Sequence, residues 1–459
     1  MDSRNLTRLS CLPDVLLVLI ISNLRFKEAV KTSVLAKRWK NLYRETTKVS
    51  FKESDFVKIS VSDNEEAKNE VRVSFVRYMV DWVSSFPGEA IESFEVSLSK
   101  PVAFETEINS LIGFVVSKKV KNLVLDFSEP SWTTSNQVCV FPLPECVYNL
   151  ATLESLKLFA CGFIPSRFSN IGSMKSLCFG WIQLGKIMSL IKKSPLLESL
   201  TIQNCWNVGL DMISRDNNRL TELIFENCDF ATEYSTLDVA NIQIFKYIGK
   251  FHYFQFMEEN KNINEAYLDY GAETEYDDAT GTYLCGLLYD LKSAKKLTVC
   301  QFLTQLIKDD DPVRLQAPME TKDLVMKTNL QPSEFVGIRL MINSCPDLET
   351  ITFVMVPPTP VSSMPLGFEP DEYWTVKLSH KCLKSTLKVV EVKNFSGGLR
   401  ECQVLQYLIR YGRVLERVDM YLSSELDDGH KILAHTAARM IGTMFVKGSS
   451  RVRILLHNV

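Results

Sequence analysis

The sequence predicts an α/β fold in which a short helical segment precedes a long series of parallel strands. A unit of the form L-x-x-L-x-L-x-x-C occurs in LESLKLFAC, LESLTIQNC and LTELIFENC, which end at Cys161, Cys205 and Cys228. Helix-patterned stretches such as INSLIGFVV and KIMSLIKKSP precede several weaker copies of the unit. Short strands that alternate with helices are typical of parallel sheets.

The repeated unit has the period and pattern of leucine-rich repeats. Copies between Leu153 and Ile263 start 21–23 residues apart, and such units stack into solenoids. Residues 91–355 are therefore predicted to form a leucine-rich-repeat solenoid, a curved parallel sheet with helices outside. The two leucines of each L-x-L strand should face the core and the residue between them should face outward. The outward positions are Lys157, Thr201 and Ile224.

The cysteines that end the three units are predicted to lie in buried turns after the strands. Zinc binding is the alternative, but spacings of 23 and 44 residues lack the paired ligands of zinc sites. We therefore expect no metal and no other cofactor. The twelve cysteines occur singly, which suits reduced thiols in the cytoplasm or nucleus better than a disulfide framework.

Composition is that of a globular chain, with 46% hydrophobic residues, 23% charged residues and a formal net charge of -3. That balance predicts no general attraction to nucleic acid or to anionic membranes.

The apolar run Val15–Ile21 spans roughly 10 Å as a helix, against about 30 Å of bilayer hydrocarbon. A signal peptide is disfavoured because Pro13 and Asp14 abut the run and no cleavage site follows it.

The apolar run is instead predicted to be a helix that is buried on more than one side. Pro13 suits the first helical turn, and Asp14 complements the positive end of the helix dipole. Two short helices, over residues 27–35 and 36–43, can cover one face of it. Their predicted inward residues are Ala29, Val30, Val34, Trp39, Leu42 and Tyr43. The other face needs a partner, and periodicity leaves open whether that partner is this chain or another protein.

The segment Leu9–Tyr43, LSCLPDVLLVLIISNLRFKEAVKTSVLAKRWKNLY, resembles the plant F-box. Its Leu-Pro-Asp start and its Lys-Glu-Ala-Val, Thr-Ser-Val-Leu and Lys-Arg-Trp-Lys-x-Leu blocks occur in that family's order and spacing. The resemblance implies that residues 1–52 are a three-helix F-box that docks on a Skp-family adaptor of an SCF-type ubiquitin ligase. Positions that match this surface, or support it, are Leu12, Pro13, Leu16, Ile20, Leu35 and Trp39. Two positions depart from the family: Arg25 stands where proline is usual, and Ala36 where serine is usual.

Residues 53–90 are predicted to be a linker with a connecting helix. Residues 63–70 are charged and are expected to form an exposed loop. A helix should follow over residues 71–86, with Phe75, Met79, Trp82 and Phe86 on one stripe. Residues 356–373 are rich in proline and predict an extended loop.

The segment WTVKLSHKCLKSTLKVVEVKNFSGGLRECQVLQYLIRYGRVLERVDMYL resembles the FBD domain that follows F-box and repeat regions in plant proteins. Its marks are the Cys-Leu pair, the Leu-Lys-x-Val-x-Val-x-x-Phe-x-Gly strand and the helix leading to Val-Leu-Glu. The Arg-Glu-Cys helix start and the sequence YGRVLE depart from the family's usual form. Residues 374–425 are thus predicted to be an FBD-like domain that caps the last strand of the solenoid. A C-terminal extension, residues 426–459, should pack on the solenoid end.

No catalytic constellation stands out in the sequence. GWIQLGKI, Gly180–Ile187, has the spacing of a phosphate-binding loop, but Ile187 replaces the required Ser or Thr. Acidic runs near Asp277 and at Asp309–Asp311 lack calcium-loop spacing and are expected to be solvated.

The sequence therefore predicts a non-enzymatic adaptor. Its F-box would bind a Skp-family adaptor and through it a cullin, while the repeat and FBD-like region would bind a protein target. Lys157, Thr201 and Ile224 are predicted to border the target site, with no nucleic acid or membrane as partner. The alternative is a repeat scaffold outside any ubiquitin ligase, whose F-box-like segment folds back on its own chain. An enzyme with an unrecognised site is the third interpretation.

Overall fold

The computed structural model describes residues 11–458 apart from 57–64, 134–137, 139, 170, 214–218, 272, 274–278, 307–317, 359–366 and 377–379. The chain divides into two compact units. The first contains the residues up to 210 and the segment 229–232, and the second contains 211–228 and 233–459. The acidic runs near Asp277 and at Asp309–Asp311 lie outside the described residues.

The first unit begins with short helical elements and continues as parallel strands. Its helices are α1 Asp14–Ser22, α2 Phe26–Lys31, α3 Glu65–Ser84, α4 Glu105–Ser117, α5 Glu145–Tyr148 and α6 Met188–Lys192. Its strands are β1 Lys48–Lys52, β2 Ser93–Ser97, β3 Asn122–Asp126, β4 Phe141–Pro142, β5 Ser155–Phe159, β6 Cys161–Gly162, β7 Ser176–Gly180 and β8 Ser199–Gln203. The order β1-β2-β3-β5-β7-β8 is parallel throughout, and β4 pairs with β6.

The second unit repeats the same architecture. Its strands are β9 Met212–Ile213, β10 Glu222–Glu226, β11 Tyr234–Leu237, β12 Ile244–Ile248, β13 Tyr253–Phe256, β14 Glu265–Asp269, β15 Lys296–Val299, β16 Asp323–Thr328, β17 Thr350–Met355, β18 Val389–Phe395, β19 Arg417–Leu422 and β20 Arg453–His457. Its helices are α7 Thr280–Asp290, α8 Gln301–Leu306, α9 Phe335–Ser344, α10 Lys381–Ser385, α11 Leu399–Tyr411 and α12 Asp428–Met444. The main sheet has the parallel order β10-β12-β14-β15-β16-β17-β18-β19-β20.

The α/β fold class with repeated parallel strands is confirmed. Along the strands of the repeats, buried and more accessible residues alternate, as the pleat requires. Leu156 and Leu158 are buried on either side of the exposed Lys157. The same alternation holds around Thr201 and Ile224, so the predicted inward and outward positions are correct.

The turn after each regular strand also follows the repeat. A residue in the left-handed region follows the strand, at Ala160, Asn204 and Asn227, and the repeat cysteine comes next. Cys161, Cys205 and Cys228 are buried, and each thiol donates a weak hydrogen bond to a backbone carbonyl, of Leu125, Gln203 and Glu226 respectively. The predicted burial of these cysteines after the strands is therefore confirmed, although Cys161 begins the short strand β6 and does not lie in a turn.

We expect these three thiols to resist alkylation in the native protein. Burial raises the pKa of the Cys161 thiol, so both access and thiolate content are low. Iodoacetamide labelling followed by peptide mass spectrometry should modify the exposed Cys11 first and the three repeat cysteines only in denaturant. Fast native labelling of Cys205 or Cys228 would contradict this prediction.

Two expectations for the segment after α1 are wrong. No α-helix forms over residues 36–43, which instead make 3-10 turns at Lys37–Trp39 and Leu42–Glu45, because so short a segment cannot hold an α-helix by itself. Val34 was expected inward but is 83% exposed. The chain tightens from α2 into a 3-10 turn at Thr32–Val34, which rotates the side chains away from the α-helical stripe.

The expected helices outside the sheet are replaced by strands in part of the second unit. Between β10 and β14 the connecting segments form β11 and β13, which pair with each other, and β11 also pairs with β9. Their sequences, YSTL and YFQF, are rich in aromatic and β-branched residues, which favour strands. The connecting helix α3 starts at Glu65, so the charged segment predicted as a loop is partly helical. No described helix is both long and apolar enough to cross a bilayer.

Candidate functional site

The helix α1 is fixed at its first turn by the residues around it. Pro13 precedes the helix, and its carbonyl accepts hydrogen bonds from the amides of Leu16 and Leu17 at 3.0 and 3.2 Å. The Arg38 guanidinium donates to the Asp14 carboxylate and to the Leu12 carbonyl, at 2.7 and 2.6 Å. Asp14 lies at the positive end of the helix dipole, which favours its charge. The helix therefore has a defined start and orientation.

One face of α1 is buried and the other is not. Leu17 and Ile21 are fully buried, and α1 contacts the 3-10 turn Leu42–Glu45. On the opposite side, Leu16 is 44% exposed and Ile20 is 39% exposed. The other exposed aliphatic residues of this region are Val15, Leu19, Leu24, Val34 and Leu35. We call the seven residues the F-box apolar surface.

The six residues predicted for adaptor binding differ in exposure. Leu16, Ile20 and Leu35 belong to the F-box apolar surface, and Pro13 is also exposed. Leu12 is half-buried, whereas Trp39 is buried among the short helical elements. Burial of one such aliphatic side chain contributes roughly 1.5–3 kcal/mol. A partner that covers the surface therefore gains a free energy comparable to the stability of a small domain.

The N-terminal helical segment packs directly on the first strands of the sheet through Phe26 of α2. The ring of Phe26 lies 5.3 Å from that of Phe51 in β1 and 5.7 Å from that of Trp82 in α3, between centroids. Phe51 in turn contacts Phe94 of β2 at 5.9 Å. Edge-to-face aromatic contacts of this kind stabilise beyond their buried area. The F-box apolar surface is consequently held in a fixed orientation relative to β1 and β2.

The two positions that depart from the F-box pattern are both compatible with the local backbone. Arg25 precedes α2 with φ −60° and ψ 142°, values that proline also adopts. Ala36 precedes a 3-10 turn in an extended conformation and offers no side-chain cap. Neither departure distorts the elements that carry the F-box apolar surface.

The second candidate surface is the outward face of the repeat strands. In the first unit Lys157 lies opposite Val124 and Cys178, and Cys178 lies opposite Thr201. Lys157 and Thr201 are thus two strands apart, roughly 10 Å. In the second unit Ile224 lies opposite Lys246.

The sequence did not single out an aromatic and cationic group on the second unit's strands. The ammonium of Lys246 lies 5.3 Å, and that of Lys327 5.1 Å, from the centre of the Tyr267 ring. Lys327 also pairs with Asp269 at 2.6 Å. Tyr267 occupies the outward position of a degenerate repeat, where alanine replaces the first leucine of the strand. The repeat copy that starts at Ile263 located the strand, but the two lysines come from β12 and β16 and reach the ring only in the folded chain.

No metal site and no phosphate-binding loop emerge from the part of the chain that the structure describes. It holds no group of three His, Cys, Asp or Glu residues that could bind a metal ion. In the segment Gly180–Ile187, the apolar residues Ile182, Leu184 and Ile187 are buried core residues. The loop therefore fills the interior and does not present backbone amides to a ligand.

The FBD-like region adds strands to the main sheet of the second unit. β18 pairs with β17 on one side and with β19 on the other, all parallel. The expectation that this region caps the last strand is wrong, because α12 and β20 follow and β20 pairs with β19. The region is thus a continuation of the parallel repeat strands.

Comparison with known proteins agrees with the N-terminal F-box and the C-terminal FBD-like region. The F-box domain model matches residues 9–42, and the FBD model matches residues 379–419. An F-box protein of Arabidopsis thaliana is 49% identical over 450 residues, which cover 97% of each chain. A putative F-box/LRR-repeat protein of the same plant is 43% identical over 477 residues, covering 98% of this chain and 97% of the other.

The chain belongs to the F-box/LRR-repeat protein family. More distant relatives extend the same organisation. An FBD-associated F-box protein of Arabidopsis thaliana is 22% identical over 438 residues, 92% of this chain and 90% of that one. The chain therefore aligns over 92–98% of its length with relatives whose names mention an F-box, leucine-rich repeats or the FBD domain.

Proposed function

We propose that this F-box/LRR-repeat protein is the substrate-recognition adaptor of an SCF-type ubiquitin ligase. The F-box apolar surface binds a Skp-family adaptor, which connects the protein to a cullin. The repeat and FBD-like strands hold a target protein, and ubiquitin transfer is catalysed elsewhere in the ligase. The protein has no catalytic role of its own in this proposal.

The observation that carries the proposal is the exposure of seven aliphatic side chains on and beside α1. Soluble chains rarely leave a contiguous aliphatic surface in water unless it binds something. In the scaffold alternative the F-box-like segment folds back on its own chain. The residues that would then be covered, Leu16 and Ile20, remain exposed in the described structure.

Affinity purification of the full chain tests the proposal. A Skp-family protein and a cullin should co-purify with the wild type and disappear when Leu35 is replaced by Asp, while other partners remain. Leu35 is 68% exposed, so the substitution leaves the fold intact. Deletion of residues 1–50 is a poorer test, because it removes Phe26 and most of β1 from the core. A partner list unchanged by Leu35→Asp would favour the scaffold alternative.

Replacing Lys157, Thr201 and Ile224 together by Glu is expected to reduce target recovery without affecting adaptor binding. All three side chains lie on the outward strand face and none is buried, so we expect a stability change within about 1 kcal/mol. Thermal denaturation and quantitative co-purification measure the two effects. Normal target recovery by a stable triple variant would move the target site away from these positions.

A further inference from the structure

A cavity of about 780 Å³ lies between α2 and the first two strands, within the first unit. Its walls come from the start of α2, from β1 and from β2. Volumes between roughly 300 and 1,000 Å³ are typical of small-molecule sites. The basic residues that line it are Arg25, Lys27, Lys31, Lys48 and Lys52, and the acidic ones are Glu28, Asp55 and Glu95.

The three carboxylates are each engaged by one of the lysines. Lys27 pairs with Asp55 at 2.9 Å, Lys31 with Glu28 at 2.7 Å, and Lys52 with Glu95 at 2.9 Å. Ser50 also donates to Glu95 at 2.6 Å. Arg25 and Lys48 make no ion pair with any described carboxylate. The cavity therefore has five cationic and three anionic groups, and its two uncompensated charges are both positive.

We propose that this cavity binds a small polyanion, of which phosphate-bearing molecules are the fitting class. The planar guanidinium of Arg25 can donate two parallel hydrogen bonds to one phosphate group. Lys48 supplies a second, more flexible cation from β1. Lys27 and Lys52 also line the cavity, but each is paired with a carboxylate and adds no net charge.

Arg25 is available to bind an anion because the fold does not require an arginine at this position. The F-box pattern usually has proline at this position, and the backbone of Arg25 already has a proline-compatible conformation. The cation is thus unnecessary for the fold, and Arg25→Pro removes it without forcing α2 to move. The inference is independent of the proposed ligase function, because it rests on the cavity and its charges alone.

Isothermal titration of the full chain with tripolyphosphate at low salt tests the site. The wild type should show saturable binding with one site per chain, which weakens as salt screens the charges. Arg25→Pro and Lys48→Gln should each reduce the affinity by roughly tenfold. Lys186→Gln, which removes an exposed lysine outside the cavity, should leave it unchanged. If Arg25→Pro is unstable, Arg25→Gln replaces it.

The absence of saturable binding, or equal affinity in the Arg25, Lys48 and Lys186 variants, would overturn the proposal. Citrate should bind more weakly, because its total negative charge near neutral pH is smaller than that of tripolyphosphate. Equal affinity for citrate would overturn the phosphate assignment. Binding of a phosphoserine peptide in preference to tripolyphosphate would overturn the assignment to a small molecule. Adaptor binding by Arg25→Pro, measured in parallel, should equal that of the wild type. This readout separates a failure of the anion site from a failure of the proposed ligase function.

Discussion

Replacing Leu16 and Ile20 together by Asp is expected to abolish binding to a purified Skp-family adaptor. Both side chains are partly exposed in the described structure, so the new carboxylates are hydrated in the free protein and the fold survives. In the complex both charges lose water without a built-in partner, at a cost of several kcal/mol. The dissociation constant should therefore rise by at least about 1,000-fold.

The matched control is Ile432→Asp with Leu433→Asp on α12, which places the same charges on two exposed aliphatic residues outside the F-box. This control should bind the adaptor as the wild type does. Replacing Leu12 and Pro13 by Ala should weaken binding to a smaller extent, because the start of α1 is then less fixed. Wild-type adaptor affinity in a folded Leu16→Asp, Ile20→Asp variant would show that α1 is not the interface.

The parts of the fold that could be predicted are those set by local pattern. The strand leucines and the repeat cysteines were located from the period of the unit, since each buried position recurs with it. In α3, Phe75, Met79 and Trp82 are buried as their helical spacing predicted. Phe86 lies beyond the helix end and is only half-buried. Burial could therefore be predicted wherever apolar residues recur with the period of a strand, a helix or a repeat.

The parts that could not be predicted depend on contacts between distant segments. β1 carries the alternation Val49 and Phe51 inward, but it lies within the segment 1–52 that was predicted to be a helical F-box. Its strand conformation depends on pairing with β2, 45 residues later. The cavity beside it could not be predicted either, because Arg25 and Lys48 come together only when α2 packs against β1.

A buried carboxylate in the second unit is another feature that sequence alone does not locate. Glu334 is fully buried at the start of α9, in the turn after β16. Its carboxylate accepts hydrogen bonds from the amides of Gln331 and Asn329, at 2.8 and 3.3 Å, and from the hydroxyls of Thr328 and Thr304. Glu401 repeats the arrangement after β18, where it accepts from the backbone and the hydroxyl of Ser396. The carboxylate thus connects the strand, the turn and the helix in two repeats.

Replacing Glu334 by Ala is expected to destabilise the second unit by about 3 kcal/mol, because buried amides and hydroxyls lose their acceptor. Replacing it by Gln should cost only about 1 kcal/mol, since the amide oxygen still accepts from the backbone. The surface variant Glu369→Ala is the control and should leave stability unchanged. Urea denaturation of the full chain measures the differences. A midpoint for Glu334→Ala equal to that of Glu369→Ala would contradict the structural role of the carboxylate.

The stability difference between the wild type and Glu334→Gln should also depend on pH. Burial raises the pKa of Glu334 from the ordinary value of 4.5 to about 7, although the hydrogen bonds it accepts oppose the shift. The folded state therefore binds the Glu334 proton more tightly than the unfolded state does. The stabilisation that comes from this proton is complete below pH 4.5 and is lost as pH rises towards 7. Above that range the difference should be constant. Denaturation midpoints of the two proteins between pH 4.5 and 8 test this, and a difference that grows in favour of the wild type with rising pH would show that the carboxylate is held as an anion.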